Sequence, residues 1–572
     1  MADTTFASGT VIQSPWLNDV NNYVYHGTPP GTLPSSANVS FLQAGTGAVV
    51  STVQAKLRES VSVKDFGTVG DGVTDDTSAI QATLNSGALK IIFPPGTYIF
   101  SRLTIPNNVS LFGESATLKM LANSNAGVGG NFAVTHASSP ASGISIAGLT
   151  FDGNKANQQN SGANNFSVYF TNGLTFTNAT NITLRNLTFH DWPAEGLSFR
   201  GTSNSTVQGI VAYNNATVGT RFGSSTQPNK YNTVSDIISY NNSSVANTGY
   251  DGFFIEQNQF CSFTNLNAYY QAALLYEGGT GIKLVNVTDC QFSGITANYC
   301  QWQGIHLNAS SRNSFSGVVA NYNGTVGVAG SGHGIHLDGG STYNTFTAVE
   351  SNYNGSASTG VGYGVYHFED SNTYNSFDNC IISNNYTVGF EIRGNGTRLV
   401  NSTLSANPTQ VSFTKYAGTD PSGCTVTGNA IIGGTTDFGF TTTTLTIIKG
   451  NSQIGNNQSS AATKVDVPLT VGGTGAAFQN SWVNQGAGYA VASYYKDAAG
   501  FVHLQGLIQT GLVGTVIFTL PAGFRPTSAN TYYATGYSVF SSIAIDSVGN
   551  VICSVKGTTS VALDGISFLA VN

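Results

Sequence analysis

Read for alternating apolar and polar positions, residues 181–415 fall into repeating units. One apolar anchor recurs at Leu184, Val207, Val234, Phe263, Phe292, Phe315, Phe346, Phe377 and Leu399, at intervals of 22 to 31 residues. A second segment reads apolar, any, small, then Asn or Tyr: Ile210 to Tyr213, Ile237 to Tyr240, Val318 to Asn321, Val349 to Asn352 and Ile381 to Asn384. A third starts at Gly and alternates, as in Gly304 to Asn308, Gly334 to Asp338 and Gly389 to Arg393. Period-two alternation in such short pieces predicts strands with one buried face. Three strands per unit, with Gly and Asn at the corners, predict one coil of a parallel β-helix. Leucine-rich repeats, the rival solenoid, have a leucine pattern that is missing here. Stacking coils about 4.8 Å apart would make Phe263 to Phe377 a buried aromatic stack. It would also set Asn298, Asn321, Asn352, Asn384 and Asn407 as a turn ladder, each side chain satisfying backbone groups of the next coil.

The flanks read differently. In VSVKDFGTVGDGVTDDTSAIQATLNSGALKIIFPPGTYIF, residues 61–100, Val63 to Phe66 is expected as a strand and Gly67 to Gly72 as a turn. Asp75 or Asp76 would cap a short helix with Ile80 and Leu84 on its apolar face, plugging the open end of the core. Asp71, Asp75 and Asp76 read as capping and turn residues rather than as metal ligands. No metal or other cofactor is expected. From about Leu469, phrases such as YYKDAAGFVHLQGLI and FTLPAGFRP alternate between Gly, Pro and Asn-Gly turns, as in a small antiparallel domain.

The 61–100 phrase resembles the opening signature of the pectate-lyase-like β-helix proteins common among phage tailspikes. SPWLNDVNNYVYHG and VQAKLRESVSVKDF, within or next to residues 1–60, resemble tailspike head-binding and neck segments, and the C-terminal phrases resemble the small β-sandwich domains that end tail fibres. The resemblance implies an all-β chain: a right-handed parallel β-helix with a C-terminal β-sandwich-like domain, assembled as a homotrimer. The expected division is 1–60 head-binding and neck, 61–430 β-helix, 431–470 linker or last irregular coils, and 471–572 a trimerising or sugar-contacting domain. It further implies a virion tail protein, assembled in the host cytoplasm and joined to the phage tail or head–tail adaptor through its N-terminal segment. Its partner would be a bacterial surface polysaccharide.

Composition narrows this picture. Only 9% of the residues are charged and 68 are Gly, so the chain is polar without being ionic. A net charge of −7 disfavours nucleic acid as a partner. No apolar run approaches the ~18 residues that span a membrane, and Met1 to Thr4 opens with no basic or apolar leader region. No membrane insertion is expected. Six cysteines without a CxxC pair are expected as reduced, buried thiols.

Candidate chemistry concentrates on the Gly-led strand. Its outward positions run Ser198, Arg221, Phe254, Lys283, His306, His336, Tyr366, Glu391, and then Arg200, Gly223, Glu256, Val285, Asn308, Asp338, Phe368, Arg393. A bulge is expected in Gly364 to Asp370, where His367 interrupts the alternation. Long stretches before these strands would wall a groove, and Trp302, Tyr276 and Tyr366 could stack on sugar rings. Lys283, His306 and Arg393 would add polar contacts. Glycoside hydrolysis needs two carboxyls. Asp338 and Glu391, two coils apart, suit an inverting pair, with backbones separated by about 9.6 Å. Glu256 is a more distant candidate, and Asp251, Glu277, Glu369 and Asp370 lie in or beside the loops. A lyase would instead use His336 or Tyr366 with Arg393 nearby. The expected activity is depolymerisation of capsule, exopolysaccharide or O-antigen, most simply by hydrolysis. The alternatives are a polysaccharide lyase and a non-catalytic receptor-binding spike.

Overall fold

The computed structural model describes residues 35–124, 131–158, 171–242, 251–271, 279–324, 332–414, 421–440, 447–449, 452–454, 477–496, 501–526, 528, 530–536, 539–557 and 559–570. The chain divides into two compact units, Met1–His333 with Ser358–Gly360, and Gly334–Ala357 with Val361–Asn572. Among the described residues no helix is long and apolar enough to cross a membrane.

In the first unit the chain enters through a 3-10 helix, Val63–Phe66, where a strand was expected. Ser62 and Asp65 close a reciprocal capping box around it, which favours the turn over extension. The three aspartates serve turns and caps. Asp71 accepts from the Val73 and Thr74 amides, Asp75 from Thr77, and Asp76 from Val69 and Gly70. The helix Thr77–Leu84 buries Ile80 and Leu84. Its Gln81 amide donates to the Thr104 carbonyl at 3.0 Å and accepts from the Thr104 amide at 2.8 Å. A side chain thus pairs with the first strand edge of that sheet, which has no earlier coil to bond.

The apolar anchors stack as the spacing requires. Parallel pairing runs Ile91, Leu111, Ile146, Leu184, Val207, Val234, Phe263, Phe292, Phe315. All are buried, and the Phe263–Phe292 and Phe292–Phe315 rings stack at 4.9 and 4.6 Å. The second segment is not a separate strand in this unit. Thr206–Tyr213, Thr233–Tyr240, Ser262–Tyr269 and Gln291–Asn298 each run through both segments. One left-handed residue bends each strand, Gly209, Asp236, Asn265 or Gly294, with φ between 53° and 68°. Gly, Asn and Asp tolerate that conformation, so the direction changes without ending the ladder.

The turn ladder exists on the expected row in part, where Asn298 and Asn352 accept from the Asn321 and Ser383 amides of the next coil, both at 2.7 Å, and a more deeply buried row runs beside it. The buried row is Asn215, Asn242 and Gln271 in the first unit and Asn354, Asn385 and Asn407 in the second. Asn407 belongs to it, whereas Asn384 is a left-handed, exposed corner residue. Cysteines substitute for Asn in another such row. Cys261 Sγ accepts from the Asn232 amide, and Cys290 Sγ from the Cys261 amide, both at 3.4 Å. All six cysteines are buried free thiols.

In the second unit the anchors pair Phe346, Phe377, Leu399, Val426 and Ile448. The Gly-led strands Tyr363–His367, Val388–Ile392, Thr409–Phe413 and Thr436–Phe440 pair in parallel. No bulge forms at His367. Val365 and His367 both point inward around an outward Tyr366, so alternation holds and an imidazole occupies a core position. From Val483 the pairing becomes antiparallel, in three small sheets. Trp482, Tyr494, Phe518, Ile543 and Phe568 belong to their shared apolar core.

Candidate functional site

The stripe positions of the Gly-led strands stack in register, with one part in each unit, but the face is not uniformly outward, since Ser198, Glu256, His306, His336 and Glu391 are buried. In the first unit Ser198, Arg221, Phe254, Lys283 and His306 are in-register neighbours. The Arg221 guanidinium lies over the Phe254 ring at 4.6 Å. Its two terminal nitrogens split between carboxylates, Glu195 Oε1 at 3.2 Å and Glu256 Oε2 at 2.6 Å. Arg200 reaches the other Glu195 oxygen at 2.8 Å. Burial alone would push the Glu195 carboxyl up. Arg200 and Arg221 outweigh that and hold it below the usual carboxylate range.

Asp251 lies in the opposite condition. It is 1% exposed, and neither carboxylate oxygen has a partner in hydrogen-bond geometry. Burial pushes its carboxyl up to about 6, against the pull of the Lys283 ammonium and of Thr280. Trp302 meets His306 edge to face at 6.3 Å. Tyr276 and Glu277 lie outside the described residues. Glu195 escaped the sequence reading because it stands before the strand, outside the alternation. It does precede a strand-leading glycine, as Asp251 precedes Gly252, and that shared position was the available signal.

In the second unit the Val365–Phe390 pairing brings Tyr366 alongside Glu391. Glu391 is not the lone, solvated carboxylate that alternation implies, being only 2% exposed. Arg393 Nε donates to its Oε1 at 2.6 Å, and the Thr414 hydroxyl donates to the same oxygen. Arg393 also donates to the Phe368 carbonyl at 2.7 Å and lies 5.1 Å over the Tyr366 ring. Tyr363 stacks on Tyr366 at 4.4 Å, and His336 meets Tyr366 at 5.1 Å and Phe368 at 5.9 Å. Burial raises the Tyr366 phenol. Arg393 opposes the rise, and the Glu391 and Asp338 carboxylates add to it. Asp338 Oδ1 accepts from the Gly339 amide at 2.6 Å. Asp338, Glu391, His336, Tyr366 and Arg393 therefore form one cluster, and Glu195, Arg200, Arg221, Phe254 and Glu256 another. Each combines carboxyls, cations and an aromatic surface, the groups that polymer recognition and acid–base chemistry at a sugar require.

Away from the stripe, Asp152, His190 and Asp191 bring ligand atoms within 4.8 Å of one another. His190 sits 2.8 Å from Asp191 and Lys119 3.6 Å from Asp152, so hydrogen bonding and charge pairing account for the group.

Residues 60–306 match the family described as rhamnogalacturonase A/epimerase, pectate lyase-like. The chain is 31% identical over 171 residues to the plasmin and fibronectin-binding protein A of Streptococcus pneumoniae, covering 25% of this chain and 23% of that protein. It is 35% identical over 77 residues to the preneck appendage protein of Bacillus phage PZA, covering 13% of this chain and 9% of that one. The chain thus spans under a quarter of either relative's length. Among solved structures, tailspike protein 3 of bacteriophage CBA120 superimposes with a TM-score of 0.51 at 15% identity, covering 87% of this chain and 75% of that one. Residues 60–306 accordingly resemble a pectate-lyase-like domain, and the chain has a parallel β-helix fold like that of tailspike protein 3.

Proposed function

We propose that the protein is a virion tailspike that grips a bacterial surface polysaccharide and depolymerises it by glycoside hydrolysis. The observation that carries this reading is the stripe itself. Other exposed rows carry tyrosine ladders and scattered charges, but on this strand face carboxyls, guanidinium groups and aromatic rings meet side by side over successive coils. The pectate-lyase-like match supports polysaccharide as the partner, and the tailspike fold supports a place in the virion. In this reading the chain forms a homotrimer and residues 1–60 attach it to the phage tail. Residues 471–572 hold the trimer or touch sugar.

Incubation with capsule, exopolysaccharide and O-antigen from candidate hosts tests the reading. New reducing ends are expected from one of them. Asp338→Asn and Glu391→Gln are each expected to lower the rate by about 10²–10⁴ if they touch the reacting bond. Glu350→Gln, on the second strand segment, is expected to leave it unchanged. Binding without new ends would leave a receptor-binding spike. A second reading, β-elimination on a uronate, is favoured by the Tyr363–Tyr366–Arg393 contacts. Ultraviolet absorbance from an unsaturated product would establish it in place of hydrolysis.

A further inference from the structure

In the unit Met1–His333, Arg200, Gly223 and Glu256 hold equivalent places at the ends of three successive parallel strands, Leu197–Arg200, Thr220–Phe222 and Phe253–Glu256. The middle of this row is a gap. Gly223 has φ +103°, and a Cβ there would stand 1.6 Å from the Glu256 carbonyl oxygen, so no side chain can fill it. Arg200 and Glu256 flank the gap two strand spacings apart, roughly 10 Å between backbones. Charge pairing fixes the surrounding groups. Arg221 Nε donates to the Gly223 carbonyl at 3.2 Å, and its two terminal nitrogens reach Glu195 and Glu256. Arg200 Nε donates to the Ser198 hydroxyl at 2.7 Å and its Nη2 to Glu195 at 2.8 Å. Among the described residues, Arg200 Nη1 and Glu256 Oε1 then make no hydrogen bond, leaving a donor on one flank and an acceptor on the other. The arginine side chains are 26% and 22% exposed, so a ligand can reach them.

We propose that Arg200, Arg221, Gly223 and Glu256 form a non-catalytic subsite for one uncharged sugar residue, with Arg200 donating to its hydroxyls and Glu256 accepting from them. The assignment rests on the polysaccharide-binding part of the reading above and not on cleavage. Neither carboxylate suits a general acid, because an ion-paired carboxylate accepts hydrogen bonds and has no proton to give. The charges of Arg200 and Arg221 cancel those of Glu195 and Glu256, so an anionic sugar gains no net attraction. A hydroxyl both donates and accepts, and therefore matches a flank of each kind. Glu195 and the Phe254 ring, 4.6 Å from the Arg221 guanidinium, act as positioning residues that keep the arginines in place.

The test uses the full-length protein and the host polysaccharide that the wild type is found to bind. Arg200→Ala and Glu256→Ala are each expected to weaken that binding by about 10–100-fold. If the polymer is cleaved, both variants should raise KM and leave kcat unchanged. Arg200→Lys, which keeps the charge but not the planar fork, is expected to recover only part of the affinity. A network that served the fold alone would lower the unfolding temperature of the alanine variants and leave their affinity unchanged, which would overturn the subsite. A fall in kcat at unchanged KM would place Glu256 at the reacting bond and overturn it as well. Should the alanine variants fail to fold, a crystal of the wild type with an oligosaccharide of that polymer decides. An uncharged sugar with hydroxyls in hydrogen-bond reach of Arg200 Nη1 and Glu256 Oε1 is expected, and a carboxylated sugar or an empty gap would overturn the proposal. If the wild type binds no polysaccharide, the polysaccharide reading falls first and the subsite with it. Binding that persists undiminished in both alanine variants removes the subsite alone.

Discussion

A buried imidazole with no partner is among the least stable choices for a β-helix core, and His367 is one. It is 0% exposed, neither ring nitrogen has a hydrogen-bond partner, and it packs 5.7 Å from the Phe390 ring. Burial, reinforced by Arg393, lowers its pKa to about 3. Since the folded value lies below the unfolded value of about 6.5, the unfolded chain binds the proton first as pH falls. Stability is therefore greatest above that value and drains away between about 6.5 and 3. His367→Leu is expected to stabilise the protein by about 1 kcal/mol at neutral pH. The advantage should widen by about 1.4 kcal/mol per pH unit below 6. Denaturant unfolding at pH 7 and pH 5 measures both, and a constant gap would mean that the ring is not buried in its neutral form. The same scale shows where reading by residue type misleads. Asparagine occurs on several neighbouring rows of the turns, so identity alone does not separate Asn385, buried and bonded to Asn354 and Asn407, from the exposed Asn384 beside it.

Among the elements, the helix Thr77–Leu84 serves both the core and a strand edge. It covers the open end of the apolar column with Ile80 and Leu84 and supplies the Gln81 amide to the first strand edge. Ile80→Ala removes a fully buried side chain and is expected to cost about 2–5 kcal/mol. Gln81→Ala is expected to cost about 1 kcal/mol, through the two hydrogen bonds it forfeits. Thermal unfolding should rank the two in that order. Equal effects would mean that edge pairing matters as much as the apolar plug. The strands show why their boundaries were harder to read than their existence. A left-handed Gly, Asn or Asp looks like a terminator along the chain, yet within a coil it only bends one continuous strand.

At the scale of the whole molecule, a closed three-fold assembly is what the proposed tailspike role predicts. Light scattering should give three times the mass of one chain, and removal of residues 471–572 should lower the yield of trimer more than it disturbs the coils. A monomer at micromolar concentration would count against the virion reading. The column of coils was legible because its determinants are local and repeated. Period-two burial sets the inward face, and Leu184 through Leu399 needed only constant phase, not constant spacing, to be aligned. The stripe on the Gly-led strand was legible for the same reason. Which of its groups meet was decided by tertiary structure alone. Arg221 joins Glu195 and Glu256 from 26 and 35 residues away. Thr414 closes over Glu391 from 23 residues away. Those separations depend on loop lengths, which strand stacking discards. Burial of Asp251 and Glu391 likewise depends on what neighbouring coils lay over them, a property that no single repeat contains.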